Sequence, residues 1–253
     1  MKSPAIRNGA PISKQLIAET DTLRYSVSAL RFSEPVVAVY NPLEYAGASY
    51  RQYLTRFAAS AKRVIFLGMN PGPWGMAQTG VPFGEVAAVR DWMGIDTEVG
   101  RPAIEHPKRP VQGFACTRSE VSGRRLWGLM KNRFDTAESF AADHFVANYC
   151  PLVFMEESGR NRTPDKLPAA EREPLYRLCD AYFAATVRIL QPQWLVAVGG
   201  FARSRIDALL AGANAPSPEP RPLTILHPSP ASPRANRGWE PEVISTLTEA
   251  GVW

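Results

Sequence analysis

Leu67-Gly68-Met69-Asn70-Pro71-Gly72-Pro73-Trp74-Gly75-Met76-Ala77-Gln78-Thr79-Gly80-Val81-Pro82-Phe83-Gly84-Glu85 joins a strand-like run of sequence to a helix-like one. The residues that enter it, Arg63-Val64-Ile65-Phe66-Leu67, are β-branched, aromatic and continuously apolar. That is the signature of a parallel strand buried on both faces. Beyond it, Val86 to Met93 carries apolar residues at helical spacing. Five glycines and three prolines lie between, too many for regular structure. Open α/β sheets place their ligands in such loops, at the carboxyl ends of their strands. Glycine lets backbone approach a ligand closely, and proline stiffens the loop before binding.

Working outward, the chain alternates helical and extended patterns. Residues 1–11 read as a loose arm, and Ser13 as the cap of a helix with Leu16, Ile17, Thr20, Leu23, Val27 and Leu30 on one stripe. Val36–Tyr40 reads as a strand, and Glu44–Ala61 as a helix with Tyr53, Leu54 and Phe57 inward. Ile95–Ser122 is a long polar passage. Helices follow over Gly123–Phe134 and Ala137–Ala142, then a strand over Phe145–Cys150 and a surface loop over Ser158–Asp165. The clearest helix is Glu171–Leu190. A buried strand ends in Gly199-Gly200, and a helix covers Ala202–Leu210. An extended loop covers Asn214–Pro222, a short strand Leu223–Leu226, and a closing helix Glu240–Ala250. The expectation is α/β: a single domain spanning 1–253, with a short, mostly parallel central sheet flanked by helices.

Composition sets the class. With 45% hydrophobic and 21% charged residues, the 253-residue chain matches an ordinary globular protein. The net charge of +5 and a pI near 9.2 favour a polyanionic partner. Cys116, Cys150 and Cys179 are widely spaced with no Cys-x-x-Cys pair, which argues against a disulfide framework, a zinc site or an iron–sulfur cluster. No apolar run approaches membrane-spanning length and no signal-peptide pattern opens the chain, so a reduced, cytoplasmic setting with no membrane partner is expected (nucleoid-associated in a bacterium, nuclear in a eukaryote).

Four strands end in Asn70, Asn148, Gly199-Gly200 and His227; parallel strands bring their carboxyl ends to one edge, so Asn70, Asn148 and His227 are expected to meet in one crevice. The crevice offers amides and an imidazole. Neither of its loops contains a lysine for a Schiff base, and the chain has no phosphate loop, Gly-x-Gly-x-x-Gly motif or Gly-x-Ser-x-Gly elbow. An asparagine is too weak a base to activate water strongly. It suits a reaction whose leaving group departs first and leaves a cation.

Gly68-Met69-Asn70-Pro71-Gly72-Pro73, the following Met76 to Glu85, and His227-Pro228-Ser229-Pro230 resemble the single-strand-selective monofunctional uracil-DNA glycosylases of the uracil-DNA glycosylase superfamily. Ser119 to Gly123, Asn148 to Leu152 and Ser158 to Asn161 extend the likeness, which runs from about Phe57 to Trp239.

The resemblance implies excision of uracil, and of 5-modified uracils such as 5-hydroxymethyluracil, from single- and double-stranded DNA, leaving an abasic site. The base is flipped into a pocket. Asn70 matches the water-positioning residue and His227 the residue that steadies negative charge on uracil O2. Asn148 matches the base-reading amide and Phe83 the stacking aromatic, with Met69 walling the pocket. Gly72 stands where thymine-excluding relatives carry tyrosine, so space or a bridging water is expected near C5. The His227 loop resembles a DNA-inserting wedge, with Ser229 and Pro230 on it and Arg234 and Arg237 attracting phosphate. Ala231 departs from the family, whose vertebrate members carry arginine there. A monomer without cofactor or metal, base release without strand cleavage, and service in base excision repair complete the expectation. The rivals are a mismatch-specific uracil/thymine glycosylase, a non-catalytic single-strand-binding module stacking bases on Phe83 and Trp74, and a nucleotide-binding α/β protein.

Overall fold

The computed structural model describes residues 10–213 and 215–253. Most of the expected N-terminal arm, residues 1–9, and Asn214 lie outside the described residues. Among the described residues seven strands form two sheets: β1 (Val36–Tyr40), β2 (Val64–Gly68), β3 (His144–Asn148), β4 (Val153–Glu156), β5 (Asn161–Arg162), β6 (Trp194–Val198) and β7 (Arg221–Ile225). The central sheet has the order β3-β2-β6-β7, parallel throughout. Every residue of β2 is buried, as its unbroken apolar run requires. Register pairs Gly68 with Asn148 and Leu67 with both Ala147 and Ala197, so the carboxyl ends of β2, β3 and β6 lie side by side.

The second sheet, β1-β4-β5, is antiparallel. The expected strand Val36–Tyr40 joins this sheet as β1, and one expectation is corrected: part of the expected loop Ser158–Asp165 pairs as β5, with Asn161 opposite Met155. A two-residue strand in a Gly/Asn/Arg-rich stretch carries no periodicity to find.

The helices are α1 (Ile12–Ser28), α2 (Pro42–Tyr45), α3 (Gly47–Phe57), α4 (Met76–Thr79), α5 (Val121–Phe134), α6 (Ala137–Asp143), α7 (Ala169–Leu190), α8 (Gly200–Leu210) and α9 (Pro233–Glu249). Ser13 lies inside α1, which follows Pro11 and has no side-chain cap. Ala10 and Pro11 accept hydrogen bonds from Gln15 and are held to α1 rather than loose. The expected helix over Glu44–Ala61 is broken at Ala46 into α2 and α3. The helical stretch after Glu85 is wound as a π-turn over Ala88–Trp92. α9 begins earlier than expected because Pro233 fits the first helical turn and Ser232 caps it, its Oγ accepting from Ala235 N. It kinks at Gly238.

The core is continuous across the parallel sheet and its helices. Tyr53 stacks on Phe57 and Phe145, and Trp127 packs against Phe140. Cys116, Cys150 and Cys179 are free and buried. No group of three or more His, Cys, Asp or Glu suited to a metal occurs among the described residues, and no described helix is long and apolar enough to cross a membrane.

Candidate active site

The loop after β2 is rigid because its polar groups are tied to one another. Gln78 is fully buried, donates to the carbonyls of Pro73 and Pro110, and accepts from Gln112 N. Thr79 Oγ1 donates to Gly84 O, and Trp127 Nε1 to Pro82 O. These bonds hold Phe83, a buried residue at φ 54°, where side chains other than glycine's are uncommon. Unusual backbone maintained by its surroundings is common at ligand sites. At Gly68 a side chain is excluded. A Cβ there would stand 2.4 Å from Phe83 Cε2 and 2.6 Å from Asn148 Oδ1.

The expected convergence is present. Met69, Asn70, Gly72, Phe83, Asn148, His227 and Ser229 line one cavity of about 320 Å³. Each of its three principal polar side chains is anchored by one group and leaves another free. Asn70 Nδ2 donates to Leu152 O at 3.1 Å, which turns Oδ1 away from that bond. Asn148 Nδ2 donates to Met76 Sδ at 3.3 Å, while Oδ1 is buried without a partner. His227 Nδ1 accepts from Ser229 N at 3.1 Å, so the proton of the neutral ring sits on Nε2. Burial lowers the His227 pKa below its ordinary value, which keeps the ring neutral near pH 7.

The His227 loop has its own supports. Arg125 Nη1 donates to the carbonyls of Pro228 and Ser229, and Arg125 Nη2 to Asn236 Oδ1. Asn236 Nδ2 in turn donates to Pro230 O, and Trp239 Nε1 to Leu226 O. Ser229 Oγ accepts from Ala231 N, which closes a local turn on the loop expected to act as the wedge. Pro230, Ala231, Arg234 and Arg237 are exposed and do not line the cavity. Arg234 is not the free cation expected, because its Nε bonds Glu242 at 2.8 Å. Trp74 does not line the cavity either. It is half-buried, with the guanidinium groups of Arg118 and Arg109 over its ring at 4.7 and 5.2 Å.

Four further residues line the cavity: Glu120, Ser122, Asn161 and Thr163. Asn161 Nδ2 donates to Pro71 O, fixing the main loop from the second sheet, and its Oδ1 is buried and unpartnered. Glu120 lies against Gly72 in the wall of the cavity. A Cβ on Gly72 would lie 2.8 Å from the Glu120 Oε1, so a carboxyl already occupies that place. Both residues fall in blocks that carry the family resemblance, but polar residues in loop-like sequence gave no physical reason to assign them a role.

The uracil DNA glycosylase superfamily model matches residues 55–246, which contain all of these elements. The chain belongs to that superfamily. Within it, the chain is 47% identical over 241 residues to the single-strand selective monofunctional uracil-DNA glycosylase of Rattus norvegicus, covering 95% of this chain and 86% of that protein. The protein of the same description from Bos taurus is also 47% identical, over 95% of this chain and 88% of its own. Relatedness at this level over nearly the whole length places the chain in the single-strand-selective monofunctional family. The crystal structure of SMUG2 from Pedobacter heparinus superposes with a TM-score of 0.70 over 96% of this chain and 97% of that one, at 15% identity, and so shares the fold of this glycosylase.

Proposed function

We propose that this uracil-DNA glycosylase hydrolyses the N-glycosidic bond of a uracil flipped out of DNA into the cavity between Asn70, Asn148 and His227. The observation that carries the reading is that all three line one cavity, each held by one polar group with another left over. The base stacks on Phe83. Asn148 Oδ1 accepts from uracil N3–H, and the remaining Nδ2 hydrogen donates to O4. Cytosine presents an acceptor at N3 and a donor at C4, so both contacts become mismatches. Unpaired buried groups of this kind reject an analogue by about 10⁴–10⁵.

The cleavage is dissociative. As the bond to C1′ lengthens, electrons pass to the base and charge collects on O2, where His227 Nε2–H donates. A neutral donor suffices because it is in place before the charge develops, and such a donor contributes about 3–4 kcal/mol in related chemistry. The sugar becomes an oxocarbenium-like cation. Asn70 Oδ1 orients a water toward C1′, and as the new C–O bond forms the water gives up a proton, which passes through solvent to neutralise the departed base anion. The products are the free base and an abasic site.

Among the described residues no lysine lines the cavity, so we expect base release without strand cleavage. The reading includes 5-hydroxymethyluracil as a substrate, in single- and double-stranded DNA. One chain supplies all of the named groups, which supports a monomer as the working unit.

The test is incubation with single-stranded and duplex oligonucleotides holding one uracil, in EDTA. Release of uracil, with strand breakage only after alkali, supports the mechanism. Tight DNA binding without base release sinks it and promotes the single-strand-binding reading.

A further inference from the structure

The mechanism leaves one ionisable group of the cavity without a task. Glu120 lies at the residue before α5, yet its side chain does not cap that helix. Its Oε2 is buried without a hydrogen-bond partner, and the residue lines the same cavity as Asn70 and Asn148. The loop after β2 makes room for the carboxyl at two glycines. A Cβ on Gly72 would meet Oε1 at 2.8 Å, and one on Gly75 would stand 1.5 Å from Oε2. Any side chain at either position would displace the group. The space holds a carboxyl whose Oε2 has no hydrogen-bond partner among the described residues.

A buried polar atom without a partner is costly, and its persistence is explained when a ligand supplies the partner. Which part of the ligand does so follows from the orientation of the base. With the ring face on Phe83, O2 at His227 and the N3–O4 edge at Asn148, three sides of the base are taken. The C5 position neighbours O4 and points away from O2. It therefore turns to the rest of the lining, Met69, Gly72, Glu120, Ser122, Asn161 and Thr163, in which Glu120 is the ionisable group.

We propose that Glu120 is the specificity-determining residue that reads the C5 substituent of the flipped base, pairing its carboxyl with a hydroxyl or comparable polar group carried there. The inference rests on the base orientation given under Proposed function. Burial, with the nearby charge of Glu85 second, pushes the Glu120 pKa up to about 7, so near neutrality a large share of the carboxyl is protonated. A protonated carboxyl both donates and accepts, as does the hydroxyl of a 5-hydroxymethyl group, so the two form a reciprocal pair. A hydrogen or methyl at C5 leaves the carboxyl unpaired. Glu120 thus favours polar 5-substituents over hydrogen and disfavours thymine.

The test compares single-turnover release of 5-hydroxymethyluracil, uracil and thymine by the wild type, Glu120→Gln and Glu120→Leu, on otherwise identical single-stranded oligonucleotides near pH 6.5. The readout is the ratio of rates within each protein, which a general loss of folding or activity does not move. Leucine keeps the bulk and removes the polar pair, so the 5-hydroxymethyluracil-to-uracil ratio is expected to fall by about tenfold or more, as for loss of one buried hydrogen bond. Glutamine retains a donor and an acceptor, and its ratio is expected to stay within about threefold of the wild type. If Glu120→Leu does not fold, Glu120→Ala reports the same ratio. A ratio unchanged in the leucine or alanine variant overturns the assignment while leaving the glycosylase mechanism standing. Failure of the wild type to release any base overturns that mechanism and this proposal together.

Discussion

Strand β3 carries at each end a polar side chain with one buried atom that has no partner among the described residues, and the two ends have opposite fates. His144, at the amino end, is 2% exposed and encased by aromatic rings, with Phe134 at 4.6 Å, Phe140 at 5.4 Å and Phe66 at 6.2 Å between centroids. Trp253 Nε1 donates to its Nε2, and desolvation, with Arg63 second, lowers its pKa to about 4. Close by, Lys62 is buried and donates to Ala141 O and Ser60 Oγ. Asn148, at the carboxyl end, faces the cavity. Both His144 Nδ1 and Asn148 Oδ1 lack a hydrogen-bond partner. An orphaned polar atom therefore does not define a site by itself. At the amino edge aromatic packing closes over it, and at the carboxyl edge the paired loops hold a space open in front of it.

The comparison can be broken at either edge. The largest effect is expected at His227. Replacing it with leucine removes the donor to O2, and single-turnover uracil release is expected to fall by about 10²–10³. A drop no larger than a few-fold would mean that charge on O2 is stabilised elsewhere. Next is Gly68→Ala, because the added Cβ strikes both Phe83 and Asn148. Misplacing the reading group and its stacking partner is expected to cost about 10–100-fold in uracil release.

Glu120→Gln sharpens the comparison through stability. The Glu120 carboxyl holds its proton up to about pH 7 when folded, against an ordinary 4.5. Its contribution is thus full below pH 4.5 and lost as pH rises through 7. The Tm difference between Glu120→Gln and the wild type is expected near zero at pH 4.5. It should grow in favour of the variant toward pH 8, by about 2–4 °C for each kcal/mol in a chain of this size. A pH-independent difference would place the carboxyl in contact with solvent. The smallest effect on activity is expected for His144→Phe, which is to keep uracil release within about threefold, since residues outside the reacting constellation act mainly on stability. A tenfold loss would show that the two edges are coupled.

How much of this was legible in the sequence depended on burial. β2, β3 and β6 announce themselves because strands covered on both faces are written in unbroken apolar residues. The strand ends followed, and with them Asn70, Asn148 and His227. The antiparallel sheet was hidden because β4 has four residues and β5 two, too short for alternation to register. Asn161 was lost with it. Glu120 sits in the polar run before α5, where a carboxylate ordinarily reads as solvated, and only the two glycines of a loop some 45 residues away reveal the space made for it. Arg234 was read as free because its partner, Glu242, lies two helical turns on, past a kink that sequence does not show. Close contacts across long sequence separations are what one sequence leaves out.

The central claim is that the carboxyl edge does chemistry rather than binding alone. The direct measurement is single-turnover uracil release by Asn70→Ala, taken at saturating enzyme with DNA affinity measured in parallel. The account predicts affinity within about threefold of the wild type and release slowed by at least about 100-fold, because the residue acts on the water and not on the bound base. Release at the wild-type rate with Asn70 gone would contradict it.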